Sequence, residues 1–94
     1  LGILSQVVDP PDGLRDAAQD LAEKIARNSP EAMRVTKQAL WGALELGLTD
    51  ASRAGGRALM SMWGHPDQEE GPKAFAEKRE PVWRPLDPRE RTTA

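Results

Sequence analysis

No cysteine occurs in this 94-residue sequence, which excludes disulfides and cysteine-based zinc sites. An excess of one charge is missing too: 13 basic and 15 acidic residues are well mixed and leave a net charge of -2. That balance marks neither a nucleic-acid surface nor one made for anionic membranes. No apolar run approaches the length needed to span a bilayer. A glycine-rich phosphate loop is absent, because Gly55-Gly56 lies inside a helical pattern rather than after a strand. No serine sits in a nucleophilic setting, and the single histidine, His65, has too few companions for a metal site. Leu1-Gly2-Ile3-Leu4 lacks the basic start and long apolar stretch of a signal peptide. Opening on Leu1, mid-pattern, it reads as the start of a fragment or a processed product. What is present, 38% hydrophobic and 30% charged residues, is the balance of one small soluble domain. Cysteine-free composition fits a reducing, cytoplasmic setting.

The periodicity then divides the chain. Ile3 to Val8 is a short β-prone run stopped by Asp9-Pro10-Pro11-Asp12-Gly13. A lone strand is not a stable unit, so it either pairs with something outside this chain or lies as extended coil. From Asp12, Leu14, Ala17, Ala18, Leu21, Ala22, Ile25 and Ala26 recur at helical spacing. Asn28-Ser29-Pro30 ends that helix, with Ser29 as cap and Pro30 as first residue of the next. The second helix is predicted from Pro30 to about Leu46, with Gly47 as a left-handed stop. A third is predicted from Thr49 or Asp50 to about Met62, with Gly55-Gly56 allowing close helix packing or a kink. A fourth is predicted from Glu69 or Glu70 to Arg79, since Pro72 is tolerable only in a first turn. Beyond Trp83 the residues Pro85, Pro88, Arg89, Glu90 and Arg91 suggest an irregular tail. The apolar faces are wide and alanine-rich, which points to docking on a larger core or to self-association.

The order of these segments resembles the enoyl-CoA hydratase/isomerase (crotonase) family. Residues 2–8, GILSQVV, are similar to the "GLV-x-x-VV" stretch that closes the family's catalytic core. LRDAAQDLAEKIARN resembles the next helix, with its "A-x-x-LA-x-x-IA" rhythm, and Ser29-Pro30-Glu31-Ala32 with Lys37-Gln38-Ala39-Leu40 resembles the "SP-x-A … K-x-AL" helix. Most specific is DQEEGPKAFAEKREPVW, residues 67–83, which is similar to the closing "D-x-x-EG-x-x-AF-x-EKR-x-P-x-F/W" motif. The resemblance covers about residues 2 to 83. Gly55-Gly56 departs from the family's larger, charged helix residues, and Leu59 and Trp63 stand where Phe is frequent.

The resemblance implies an all-α chain, three to four amphipathic helices after a short extended lead-in, within a parent of α/β type with a spiral β-core. Residues 1–11 would end that core, 12–83 would form a C-terminal trimerisation and CoA-covering region, and 84–94 a polar tail. The parent would hydrate 2-trans-enoyl-CoA to 3-hydroxyacyl-CoA. Such enzymes hold an enolate-like oxyanion on two backbone N–H groups and move a water proton with paired glutamates. The family carries these in its N-terminal core, so no catalytic residue is expected here. Glu69, Glu70 and Glu77 are not read as catalytic; Glu69 and Glu70 are read as charges at a helix start that favour the dipole and cap the turn. Phe75 and Lys78 map onto positions that touch the CoA adenine and phosphates, often of a neighbouring subunit. Their three-residue spacing puts both on one helix face. The plainer alternative makes Phe75 the core anchor of its helix and Lys78 a solvated charge. Leu59, Met60, Met62 and Trp63 could line the acyl pocket or simply be core. His65 reads as a surface turn residue, Trp41 and Trp83 as packing residues, and Arg79 as a helix-end charge or a phosphate partner. No cofactor is expected beyond the coenzyme A thioester that is the substrate. The expected partners are acyl-CoA and further copies of the parent, as a trimer or hexamer, with no nucleic acid, membrane or metal. Two alternatives stand beside this: a free-standing helical interaction module, and a parent that is an isomerase, thioesterase, decarboxylase or dehalogenase.

Overall fold

The computed structural model describes residues 2–89. Four α-helices follow one another, α1 (Leu14–Ala26), α2 (Pro30–Ala43), α3 (Leu48–Ser61) and α4 (Pro66–Ala76), with a short 3-10 turn at Pro11–Gly13. Among the described residues there is no strand. Ile3 to Val8 takes the extended-coil option, and Val8 leans toward Gly13, where an added Cβ would meet its Cγ1 at 3.0 Å.

Each helix start has a local cause. Ser29 is extended, as a residue before proline must be, and its Oγ accepts from the Ala32 N–H at 3.2 Å. Pro30 then occupies the first turn, where a missing N–H costs nothing. The same device starts α4 with a different residue. His65 is extended before Pro66, and its Nδ1 accepts from the Asp67 N–H at 3.1 Å. The fourth helix therefore begins at Pro66, not at Glu69 or Glu70, and His65 is a half-buried cap, not a free surface residue. Pro72 consequently lies inside α4 rather than in its first turn. The helix tolerates it because Gly71 has no Cβ to clash with the proline ring. Pro72 and Gln68 are also both exposed, so water reaches the carbonyl that proline leaves unpaired.

Two further expectations are corrected. α2 stops at Ala43, and Gly47 is the extended N-cap of α3 (φ -73°, ψ 170°), not a left-handed stop. Gly55-Gly56 does not serve close packing within the chain, because a Cβ at either position would meet nothing within 4 Å.

Tertiary packing is sparse. α2 and α3 pair, half-burying Ala32, Val35, Ala39 and Ala43 on one side and Ala51, Ala54, Ala58 and Met62 on the other. Ala74 is the one buried apolar residue among the described ones. The apolar face of α1 is uncovered, with Leu14, Leu21 and Ile25 exposed, and so is Trp41 of α2. The radius of gyration is 16.6 Å, against about 12 Å for a compact domain of this length. No helix among the described residues is long and apolar enough to cross a membrane.

Candidate functional site

The best-built region lies at α4 and the segment that follows it. α4 ends in a Schellman turn: the Arg79 N–H reaches Ala74 O at 3.0 Å and the Lys78 N–H reaches Phe75 O at 3.2 Å. Lys78 takes the left-handed conformation this turn needs, φ 53°. For a residue with a Cβ that conformation costs roughly 1–2 kcal/mol.

After the corner the chain returns along α4 as a strap. Glu70 Oε1 accepts from the Val82 N–H at 3.2 Å, and Asp67 Oδ1 accepts from the Arg84 N–H at 2.8 Å. Carboxylates three residues apart on a helix share a face. N–H groups two residues apart on an extended chain point the same way. The two spacings match, so one face of α4 receives the strap. Trp83, between the two bonded residues, packs on Gly71: a Cβ there would meet the ring at 3.3 Å. The indole Nε1–H donates to Arg27 O at 2.6 Å and ties the strap to the end of α1. Asp67, only 5% exposed, also accepts from Ser29 Oγ at 2.5 Å, which ties α4 to the start of α2. Three segments, α4, the start of α2 and the strap, thus meet at one buried carboxylate, and each of its oxygens is satisfied.

Arg79 locks the corner from outside. Its guanidinium bridges Glu70 and, at 2.6 Å, Glu77. Arg79's hydrogen bond holds the Glu70 carboxyl below the usual carboxylate range, and the Val82 N–H adds to the effect. The guanidinium is held above its ordinary value by Glu70 and then Glu77. Arg79 is therefore paired within the chain, and Glu70 is a strap acceptor in the second turn, not a helix-start charge.

Phe75 and Lys78 sit at the exposed end of this assembly. Phe75 is 88% exposed and so anchors no core among the described residues. Lys78 is exposed as well, but it lies beyond the last helical residue, Ala76, and does not share a helix face with Phe75. The Schellman turn, not helical periodicity, keeps the two adjacent.

Leu59 and Met62 lie on an apolar groove between α2 and α3, along with Val35, Leu40 and Gly55. Trp63 is outside that groove, 73% exposed in the turn after α3, and Met60 is exposed too. Among the described residues no three His, Asp or Glu side chains come close enough to hold a metal ion. Sequence reasoning missed the tethering roles of Asp67, Glu70 and Gly71. The signal was present: His65-Pro66-Asp67 repeats the cap–proline–acid pattern of Ser29-Pro30-Glu31. Histidine is simply not among the residues favoured as caps.

Residues 1–85 match the family model described as enoyl-CoA hydratase/isomerase. The chain is 40% identical over 82 residues to a probable mitochondrial enoyl-CoA hydratase of Dictyostelium discoideum, covering 87% of this chain and 29% of that protein. It is 35% identical over 89 residues to mevalonyl-coenzyme A hydratase of Aspergillus fumigatus, covering 89% and 32%. Among solved structures, an enoyl-CoA hydratase/isomerase from Mycobacterium paratuberculosis superposes with a TM-score of 0.79 at 32% identity, covering 88% of this chain and 32% of that one. The chain thus spans about a third of the length of the relatives it matches.

Proposed function

The chain belongs to the enoyl-CoA hydratase/isomerase family, and on that premise we propose that it is the C-terminal helical part of an acyl-CoA enzyme that hydrates 2-trans-enoyl-CoA to 3-hydroxyacyl-CoA. Its share of the work is binding rather than bond-making. The N–H groups that hold the oxyanion and the glutamates that move the water proton belong to the core that would precede it.

One observation carries this reading: Phe75 stands 88% exposed at an ion-paired corner, where the Lys78 N–H is bonded to its carbonyl. An aromatic presented to solvent at that level is not serving the chain's own packing. Phe75 offers adenine a face to stack on, and Lys78 offers phosphate a point charge. Leu59 and Met62 in the α2–α3 groove, with Trp63 from the turn after α3, would take part in enclosing the acyl chain. The uncovered faces of α1 and α2 would dock on the parent's core and on neighbouring copies, as a trimer or hexamer. No cofactor beyond the thioester itself is needed.

The same exposed faces would also suit a free-standing interaction module. Steady-state hydration of a short 2-trans-enoyl-CoA separates the two. The natural-length gene product is expected to turn the substrate over, with Lys78→Ala raising KM, while the 94-residue chain alone is inert. Turnover by the 94-residue chain, or none by the natural-length product, contradicts the proposal.

A further inference from the structure

We infer that Glu70 and Arg79 are positioning residues for recognition of the nucleotide end of CoA; the inference rests on the binding role proposed for Lys78. Lys78 is in an unfavourable backbone conformation that an exposed lysine would not keep unaided. The groups on either side of it oppose that tendency. Glu77 and Arg79, its two sequence neighbours, are bonded to each other across it, and Arg79 is anchored to Glu70, nine residues back in the helix. Glu70 in turn takes the Val82 N–H, so the same carboxylate fixes both the corner and the strap leaving it.

Loss of this ion pair frees the corner to leave the left-handed conformation. The Lys78 ammonium then swings away from the exposed end of α4 while the helix itself, capped by His65 and tied through Asp67, persists. The effect is therefore confined to the part of a substrate that Lys78 meets. Arg79 acts through Lys78 in this reading, because its guanidinium is already bonded to Glu77 through Nε and to Glu70 through its terminal nitrogens. A lysine in its place keeps the charge but not the planar two-pronged geometry.

The test compares one acyl group carried on CoA and on pantetheine, which lacks the phosphorylated nucleotide, in the natural-length protein. Arg79→Gln and Glu70→Gln are expected to raise KM for the CoA thioester roughly tenfold, with a much smaller change for the pantetheine thioester. Lys78→Ala provides the reference. If Lys78→Ala raises KM for the CoA ester and Arg79→Gln does not, the positioning role is wrong and the binding role stands. If Lys78→Ala has no effect on either ester, the binding role itself fails. An equal rise for both esters in Arg79→Gln would mean a general structural role and would overturn the inference. Should Arg79→Gln not fold, Arg79→Lys answers instead: a selective rise for the CoA ester supports the inference, and wild-type KM values refute it.

Discussion

Asp67 illustrates what one residue does here. Its carboxylate is buried, and both oxygens are used, one by Ser29 and one by the strap N–H of Arg84. Replacing it by alanine would strand a hydroxyl and an amide in a part-buried setting. Each such loss costs about 1–3 kcal/mol. Asp67→Ala is therefore expected to destabilise by about 2–4 kcal/mol and to expose the Arg84 amide to rapid hydrogen exchange. An Arg84 amide as protected as in wild type would show that the strap does not depend on this carboxylate. The sequence made Asp67 visible as the first residue of a motif but not as a tether. Its partners lie 38 and 17 residues away, and no local spacing encodes those contacts. Phe75 and Lys78 were legible only through the family pattern. Their expected helix-face relation fails because left-handed Lys78 ends the helix, a preference that glycine signals and lysine does not.

At the scale of the element, α4 and its strap respond to pH through Glu70. Its carboxyl is held below the usual range by Arg79 first and the Val82 N–H second. The folded value is thus lower than the unfolded one. Its contribution is complete above the ordinary carboxylate value of about 4.3 and is lost as pH falls through the lowered folded value. Glu31, lowered by Arg34, and Asp87, lowered by Arg89, act with the same sign. The Trp83 indole N–H resonance is expected to leave its bonded position in that acid window, below about pH 4. A resonance that stays fixed while the Glu70 carboxyl is itself seen to protonate would mean that Glu70 is not what retains the strap.

α3 gives a second prediction at this scale. Gly55 and Gly56 face open space, so in the isolated chain each change to alanine is expected to stabilise the helix by up to about 1 kcal/mol. Thermal melting by circular dichroism reads this directly. A fall in the midpoint would reveal packing at these glycines. Helix number and type were readable from the apolar period, and so was the capped start of α2. The start of α4 was not, because Pro72 argued for a later one. The glycine before it and the solvent-exposed carbonyl four residues back make a proline inside this helix tolerable.

For the molecule as a whole, surface is the deciding quantity. The chain exposes 8258 Å², whereas a folded monomer of its 10.3 kDa exposes about 5,400 Å². Much of the excess is apolar, including Leu14, Leu40, Trp41, Leu44 and Leu48. Surface of this kind is not stable against water alone. Purified by itself, the chain is expected to self-associate or to melt without cooperativity, as light scattering and calorimetry would show. A sharp transition at monomer mass would contradict that. The wide alanine faces were legible in the sequence, and they foretold uncovered helices. Which faces pair was not legible, because α1, α2 and α3 carry stripes of similar composition, and among the described residues it is α2 and α3 that pack most extensively.

The most direct test of the account is the intact mass of the natural gene product, captured from its source cells with an antibody against this segment. Relatives are matched over 29–33% of their length, so the account predicts a product of about three times this chain's mass. A product of this chain's mass alone would contradict it and would make the helices a self-standing module.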